Sequence, residues 1–172
     1  ALDVDCHKLS DYNFFKDKSN ARANPVSENA HPYSLSAPLF TDYALKDRFI
    51  IMPKGESMDY NSDRTFTFPE GTVITKTFSY PKDFSKKEVI TPVETRILIK
   101  RKDGWKALAY VWDNEKKDAY LSRTGKQLPI SFIRNGKETK FTYTVPSQNQ
   151  CFSCHGIAGK LMPIGPQAKV LN

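Results

Sequence analysis

Five consecutive residues close to the end of the sequence have the types and spacing that attach a haem covalently. Cys151, Cys154 and His155 form the pattern Cys-x-x-Cys-His. Two cysteines three positions apart on one helical turn can each form a thioether bond to a vinyl group of the porphyrin, and the adjacent histidine can then bind the iron as an axial ligand. The motif therefore predicts one covalently attached haem c, held by Cys151, Cys154 and His155.

Two other interpretations of this motif stay open. A Cys-x-x-Cys pair can be a redox-active dithiol, although the thioredoxin type of motif lies near the start of a β-α-β unit. The same three side chains could instead bind a structural zinc ion, with Cys6 or His7 as the fourth ligand. In the haem interpretation, Cys6 is expected to be a buried or unreactive thiol, with an intermolecular disulfide or a ligand role as the alternatives.

The function depends on what binds the other face of the iron. A methionine opposite a histidine raises the reduction potential and suits electron transfer, whereas an open position suits the binding of a small molecule. Met162 lies only seven residues after His155, and seven extended residues span at most about 25 Å, enough to pass round the edge of a porphyrin. The candidates for the sixth ligand are Met162, Met52, Met58, His7, His31 and Lys76.

The elements that must position these groups are mainly β-strands. Between Asp47 and Thr144, β-branched and aromatic residues alternate with polar ones in the period of two that is typical of strands. Turn residues interrupt the pattern at 69–71, 102–104 and 135–137, as they do between hairpin strands. We therefore expect a mainly β fold of the α+β class, with an antiparallel sheet. The predicted strands cover residues 48–52, 65–68, 72–80, 95–100, 105–112, 130–133 and 140–145.

The sequence is expected to form one haem c domain over residues 1–172, with an N-terminal arm (1–45), a β body (46–145) and a haem-attachment segment (146–172). A chain of this length buries about 70% of the surface that its unfolded form exposes, so it needs no disulfide framework. The arm contains one short helix candidate, Leu9 to Lys18. Ser147 is a suitable N-cap for a short helix that carries the haem motif, and glycines and prolines after the motif exclude a long continuation.

Charge and hydropathy exclude several classes of protein. The net charge is +7, but the basic runs lie beside acidic residues and no recognition motif accompanies them, so nucleic-acid binding is not expected. The longest apolar runs are the length of strands, which predicts no membrane span.

Haem attachment takes place outside the cytoplasmic membrane, so we expect a periplasmic or exported protein whose signal peptide preceded Ala1 and was removed. The positive charge predicts an acidic redox partner protein, and the sequence does not determine the oligomeric state.

The sequence resembles two groups of haem proteins. Residues 68–76, which read Phe-Pro-Glu-Gly-Thr-Val-Ile-Thr-Lys, precede Gly104-Trp105, Tyr110-Val111-Trp112 and then the Cys-x-x-Cys-His motif. This order resembles the cytochrome P-460 family and the β-sheet cytochromes c-prime over roughly residues 65–155. The whole chain is similar to an uncharacterised group of exported bacterial haem proteins, through residues 38–44, 94–96 and 163–166 and the final Leu171-Asn172.

The resemblance to cytochrome P-460 implies a special position for Lys76. In the lysine-crosslinked members the matching lysine is bonded to the porphyrin, the iron is five-coordinate and hydroxylamine is oxidised. The c-prime relatives share the sheet and bind small gases without the crosslink. The segment after His155 contains no Asp or Glu, so a carboxylate that accepts protons would have to come from elsewhere, such as Glu70 or Glu94. From the strand pattern alone, Lys76 could simply face solvent.

These observations together predict a monohaem c-type cytochrome that transfers electrons outside the cytoplasm. The alternative is a five-coordinate haem protein that binds or oxidises a small nitrogen compound, such as hydroxylamine or nitric oxide. A zinc-stabilised interaction domain is a third interpretation. The sequence does not decide whether the protein is an enzyme; if it is, the expected activity is that of a haem c oxidoreductase, with Lys76 as the candidate catalytic residue.

Overall fold

The computed structural model describes residues 2–15, 30–36, 42–62, 66–115, 117–150, 156–157 and 160–161. In these residues almost all regular structure is antiparallel β-sheet, and helical conformation is confined to a 3₁₀ helix at Leu9–Tyr12 and to residues 148–150. The predicted mainly β, antiparallel fold is confirmed. No helix in the described ranges has the length and apolar character needed to cross a membrane.

The sheet is built from strands that follow one another along the chain. In chain order they are β1 (Ala30–Pro32), β2 (Leu45–Ile51), β3 (Asp59–Tyr60), β4 (Phe66–Thr67), β5 (Val73–Asp83), β6 (Lys86–Arg101), β7 (Gly104–Trp112), β8 (Ala119–Leu121), β9 (Lys126–Arg134), β10 (Lys137–Val145), β11 (Gly156–Ile157) and β12 (Lys160–Leu161). Antiparallel neighbours give the order β1-β2-β5-β6-β7-β8. The β9–β10 hairpin joins this sheet by one parallel contact with β5, and β3–β4 and β11–β12 form separate ribbons.

The predicted turns lie at strand ends. Residues 102–103 connect β6 to β7, and residues 135–136 connect β9 to β10. Asn135 and Gly136 have φ angles of 51° and 72°, and Asn-Gly is the pair that best accommodates two positive φ angles in a two-residue hairpin turn. The turn at 69–71 precedes β5, where the Thr72 N–H donates to the Pro69 carbonyl at 3.2 Å.

The two faces of the central sheet are covered by different parts of the chain. We call one of them the arm face, because the N-terminal arm packs on it. There Leu9, Tyr12, Phe14 and Phe15 of the arm are buried against Val73, Ile97, Ile99, Leu108, Tyr110 and Trp112 of the sheet. The opposite face, the hairpin face, is covered at one end by the β9–β10 hairpin, whose Phe132 and Tyr143 pack with Phe78 and Tyr80 of β5.

The arm differs from the helix predicted over Leu9 to Lys18. The structure forms only a single 3₁₀ turn, which ends at Asn13 with a left-handed φ of 55°. Phe14 and Phe15 directly follow this turn and both are buried. The left-handed conformation of Asn13 ends the helical turn, and burial of both rings against the sheet overrides the local helical pattern. Residues 16–18 lie outside the described residues.

The hairpin face has an apolar cluster at each end. One is the aromatic cluster under the β9–β10 hairpin, where the rings of Tyr80 and Phe132 stack with centroids 5.7 Å apart. The other surrounds the buried side chains of Ile50, Phe68 and Ile74. Between the two clusters, the middle of β2, β5 and β6 carries charged side chains. This middle strip contains Lys76 and is the candidate site.

Candidate functional site

Basic side chains occupy directly opposite positions on three neighbouring strands of the hairpin face. Arg48 of β2 lies opposite Lys76 of β5, and Lys76 lies opposite Arg96 of β6. Neighbouring strands are about 4.8 Å apart, so these three positions extend over roughly 10 Å. Lys46, two positions before Arg48, adds a fourth cation opposite Phe78. We call Lys46, Arg48, Lys76 and Arg96 the cation row.

Two members of the cation row, Arg48 and Lys76, are partly or largely removed from solvent. The Arg48 residue is only 8% exposed, and Lys76 is half-buried. In the part of the chain that the structure describes, neither Arg48 nor Lys76 forms an ion pair with a carboxylate. Burying a cation without a partner costs free energy, and like charges directly opposite each other on a sheet repel. The row is therefore an electropositive strip that attracts an anionic group.

Glu94 is the buried acid beside the row. Its carboxylate is fully buried and accepts two hydrogen bonds from the Arg96 guanidinium, from Nε at 2.6 Å and from Nη2 at 3.1 Å. The Tyr143 hydroxyl of β10 donates a third hydrogen bond to Glu94 Oε2. Burial and the Glu94 charge raise the pKa of Tyr143 far above its usual value, so this hydroxyl stays protonated and keeps donating. The carboxylate thus ties the β9–β10 hairpin to the sheet.

Phe78 lies under two of the cations. Lys76 Nζ is 4.8 Å from the centroid of the Phe78 ring, and Arg96 Cζ is 4.5 Å from it. A cation within about 6 Å of a ring centroid is attracted by the negative face of the ring. This contact orients both cations, but it does not neutralise their charge. The Lys76 amine is therefore held in place at the edge of the aromatic cluster.

The environment of Lys76 changes its acid–base behaviour. Burial, followed by the charges of Arg48, Arg96 and Lys46, lowers the pKa of Lys76 to about 8, and the Glu94 carboxylate only partly opposes this shift. A neutral amine is consequently accessible at mildly alkaline pH. Neutral lysine amines act as nucleophiles and as general bases, which charged surface lysines do not. Lys76 is half-buried in β5 and does not simply face solvent.

The lowered pKa of Lys76 predicts that the haem-free chain becomes more stable as the pH rises above about 8. In the unfolded chain the pKa is about 10.5, so between about pH 8 and 10 the unfolded state binds more protons than the folded state and the free energy of unfolding increases. Lys76→Met should lack this increase and be more stable at neutral pH by on the order of 2 kcal/mol, after allowance for the partial exposure of the amine.

Urea unfolding at about pH 7, 8.5 and 9.5 measures this difference. Lys54→Met is the matched control, because Lys54 is exposed in the turn after β2. The difference between wild type and Lys76→Met should shrink as the pH rises. A difference that stays constant over this range would show that Lys76 has an ordinary pKa.

The two carboxylates considered as proton acceptors are in different environments. Glu94 lies opposite Phe78 on β6 and two positions from Arg96, so it belongs to the same strip as Lys76. Glu70 is exposed in the turn before β5. It precedes Lys76 by six positions, the first three of which lie in the turn before β5, so the two residues are at most about 20 Å apart along the chain. Of these two carboxylates, only Glu94 is brought together with Lys76.

The haem motif, Cys151, Cys154 and His155, and the candidate sixth ligand Met162 lie outside the described residues. The residues before the motif form the start of a helix: the Ser147 N–H donates to Gln150 Oε1 at 2.8 Å, and the Gln150 N–H donates to Ser147 Oγ at 3.4 Å. This reciprocal pair is a capping box at the predicted N-cap. Residues 148–150 are helical, and the predicted helix beyond Gln150 lies outside the described residues.

The chain reverses direction soon after the motif. Gly156 lies opposite Leu161 in the β11–β12 ribbon, and β12 lies beside β7 of the central sheet. β7 is the strand next to β6, where Ala109 is opposite Arg96 of the cation row. The segment that immediately follows the motif is thus packed near the strand that borders the row.

The other candidate ligands are dispersed over the molecule. Met52 and Met58 pack in the apolar cluster around Phe68, and His7 and His31 are exposed. Cys6 lies in the arm, where its N–H donates to the Tyr12 hydroxyl at 2.9 Å and its carbonyl accepts from the Tyr110 hydroxyl at 2.7 Å. Over the described ranges, no three side chains of His, Cys, Asp or Glu converge as a metal site.

Sequence reasoning missed Lys46, Arg48, Arg96 and Tyr143 as members of the site. A usable signal was present in the strand pattern. Arg48 precedes Phe49-Ile50-Ile51, and Arg96 precedes Ile97-Leu98-Ile99. Each arginine is therefore followed by three apolar residues, as in a buried strand. A charged residue at such a position is uncommon unless it is paired or functional.

Comparison of the chain with protein-family models, with curated protein sequences and with solved structures finds no match. The resemblance to the cytochrome P-460 family therefore rests on the motifs in the sequence and stays a hypothesis. Residues from both resemblances meet in the candidate site: Lys76 belongs to the P-460-like element, and Glu94 and Arg96 belong to the Glu-Thr-Arg element of the second group.

Proposed function

We propose that this protein is a monohaem c-type cytochrome, related to the cytochrome P-460 family, that transfers electrons outside the cytoplasm. The Cys-x-x-Cys-His motif at residues 151–155 carries the proposal, because its three specified residues supply two thioether links and one axial iron ligand. When bound, the haem supplies a one-electron redox centre. The capping box at Ser147 supports the proposal, because it starts a helix four residues before Cys151.

The hairpin face has the chemical character that a haem requires. A porphyrin combines a large apolar disc with two carboxylate groups at one edge. The face combines two apolar clusters with a strip of cations, and its β7 positions beside the strip are the small side chains of Ala107 and Ala109. Arg48 and Lys76, which lack carboxylate partners in the described chain, would balance the negative edge of such a cofactor.

The charge of the whole protein supports a redox role with an acidic partner. The net charge is +7, and two ionised propionates would leave it clearly positive. A protein of this charge attracts an acidic redox protein over a distance of about one Debye length, roughly 8 Å at physiological salt. Because haem attachment takes place outside the cytoplasmic membrane, the proposal includes a periplasmic or exported location.

Two observations favour a second candidate function, a five-coordinate haem protein that binds or oxidises a small nitrogen compound. Leu161, the residue before Met162, lies opposite Gly156, the residue after His155, in the β11–β12 ribbon. A sixth ligand must instead reach the face of the porphyrin opposite His155. In addition, the half-buried Lys76 amine lies beside the buried Glu94 carboxylate. A reactive amine and a nearby acid are the groups that the resemblance to the lysine-crosslinked enzymes requires.

Carbon monoxide binding separates the two functions. For an electron carrier with Met162 on the iron, the ferric protein should show the weak near-infrared band of sulfur bound to iron. Met162→Ala should then abolish this band, lower the potential and let the ferrous protein bind carbon monoxide readily, because the thioether favours reduced iron and occupies the site. Met58→Ala, in the apolar cluster around Phe68, is the control and should leave the band unchanged.

The opposite result would support the second function. A high-spin wild-type protein that binds carbon monoxide at once and does not respond to Met162→Ala contradicts electron transfer as the main role. Lys76→Ala then becomes informative. It should change the absorption spectrum strongly if the amine is bonded to the porphyrin, and only slightly if the amine is not bonded.

A further inference from the structure

The acid beside the cation row is bound to Arg96 and not to Arg48 or Lys76. Both oxygens of Glu94 are already used: Oε1 accepts from Arg96 Nε, and Oε2 accepts from Arg96 Nη2 and from the Tyr143 hydroxyl. Glu94 is thus bound to Arg96 and Tyr143, and it forms no ion pair with Arg48 or Lys76 in the described chain. In the described chain Arg48 forms no ion pair with a carboxylate, and the Glu94 charge offsets only part of the repulsion that Arg48, Arg96 and Lys46 exert on Lys76.

The burial of Arg48 makes this imbalance costly. The residue is more than nine-tenths buried, at 8% exposure, and in the described chain it forms no ion pair with a carboxylate. An arginine carries five N–H donors in a planar fork that matches a carboxylate or another planar oxyanion. Removing such a group from water without a carboxylate partner is destabilising. An anionic ligand bound to the fork would offset this cost.

The arrangement of the row indicates how such a ligand would be held. Arg48 and Lys76 occupy adjacent strands, with Arg96 on the next one. Arg96 is fixed by Glu94 and by the ring of Phe78, and the same ring fixes Lys76. Arg96 and Lys76 are consequently oriented before any ligand binds. Two strand spacings, roughly 10 Å, give enough width for two carboxylate groups side by side.

We propose that Arg48 and Lys76, with the flanking cations of the row, form a binding site for carboxylate groups. One source of that chemistry is the pair of propionates of a haem held at residues 151–155, and this source rests on the function proposed above. The other source is a free small carboxylate or similar oxyanion. In both cases Arg48 binds the ligand through its fork and Lys76 contributes a point charge.

The test uses the protein as it is exported, and two variants, Arg48→Gln and Lys76→Met. Lys54→Met is the control, because Lys54 is an exposed lysine outside the row. Two properties are measured: the reduction potential as a function of pH, and the Tm in sodium malonate compared with sodium chloride of equal ionic strength. Use of two variants keeps the test valid if Arg48→Gln alone does not fold.

If the row binds the propionates, their pKa values are held low and the wild-type potential should be constant from about pH 5 to 8. Both variants should then show a potential that falls with pH in this range, while Lys54→Met behaves like the wild type. Malonate should have no specific effect. If the row binds a free carboxylate, malonate should raise the Tm of the wild type by a few degrees and that of the variants much less.

The proposal is overturned if the variants keep the wild-type potential at every pH and malonate stabilises no protein more than chloride does. Failure of the proposed function is recognised separately, because a chain without haem has no haem spectrum. In that case the malonate measurement alone decides: specific stabilisation that depends on Arg48 supports the site, and its absence overturns it.

Discussion

Glu94→Ala is expected to lower the free energy of unfolding by about 2–4 kcal/mol, because it removes the buried partner of a partly exposed arginine and leaves the buried Tyr143 hydroxyl without its acceptor. The carboxylate is fully buried and accepts hydrogen bonds from Arg96 and from the Tyr143 hydroxyl. Its loss leaves both donors without their acceptor and adds Arg96 to the uncompensated charge of the cation row. Because Tyr143 belongs to β10, the substitution also loosens the attachment of the β9–β10 hairpin. Urea unfolding at neutral pH measures the loss.

Three comparisons separate charge from shape at this position. Glu94→Gln keeps an acceptor oxygen, so it should cost less than Glu94→Ala. Tyr143→Phe removes one hydrogen bond and should cost about 1–3 kcal/mol. Glu138→Ala removes an exposed partner of Lys140, 3.4 Å away, and should cost at most about 1 kcal/mol. A Glu94→Ala protein that is as stable as Glu138→Ala would contradict the role assigned to the buried network.

Replacement of both Cys151 and Cys154 with alanine is expected to abolish covalent haem attachment completely. Without the two sulfur atoms no thioether bond to the porphyrin can form. Cys6→Ala should retain the full amount of haem, since Cys6 lies in the arm and its backbone is bonded to Tyr12 and Tyr110. Haem absorbance per protein in the wild type and the two variants, all expressed with a signal peptide in a host that attaches haem c, measures the effect. Equal haem content in all three would exclude attachment at the motif.

Much of the sheet could be predicted because strand pattern is a local property. The alternation in β7 and the Asn135-Gly136 turn were readable from a few neighbouring residues. The lengths of β5 and β6 were not, because these strands continue past a bulge at Phe78/Ser79 and a second irregularity near Pro81, where the two-residue period is lost. Irregular pairing of this kind is decided by contacts with the β9–β10 hairpin, which local patterns do not contain.

The candidate site was harder to predict because it is not local. Lys76 was identified from a resemblance, and its neighbours Arg48 and Arg96 are contributed by two other strands. Only the register between the strands brings the three side chains together, and a shift of one residue would turn them to the other face. The burial of Glu94 depends on Tyr143, 49 residues away. A glutamate in a strand is expected to be exposed unless such a partner is known.

The haem content of the wild-type protein, expressed with a signal peptide in a host that attaches haem c, tests the central claim most directly. After acid–acetone extraction, intact-mass measurement shows whether a porphyrin stays on the chain, and the pyridine haemochrome spectrum shows whether its vinyl groups have been converted to thioethers. We predict one haem per chain, retained after extraction, with the spectrum of haem c. A colourless chain of unmodified mass, or colour that passes into the acetone, would contradict the assignment of this protein as a c-type cytochrome.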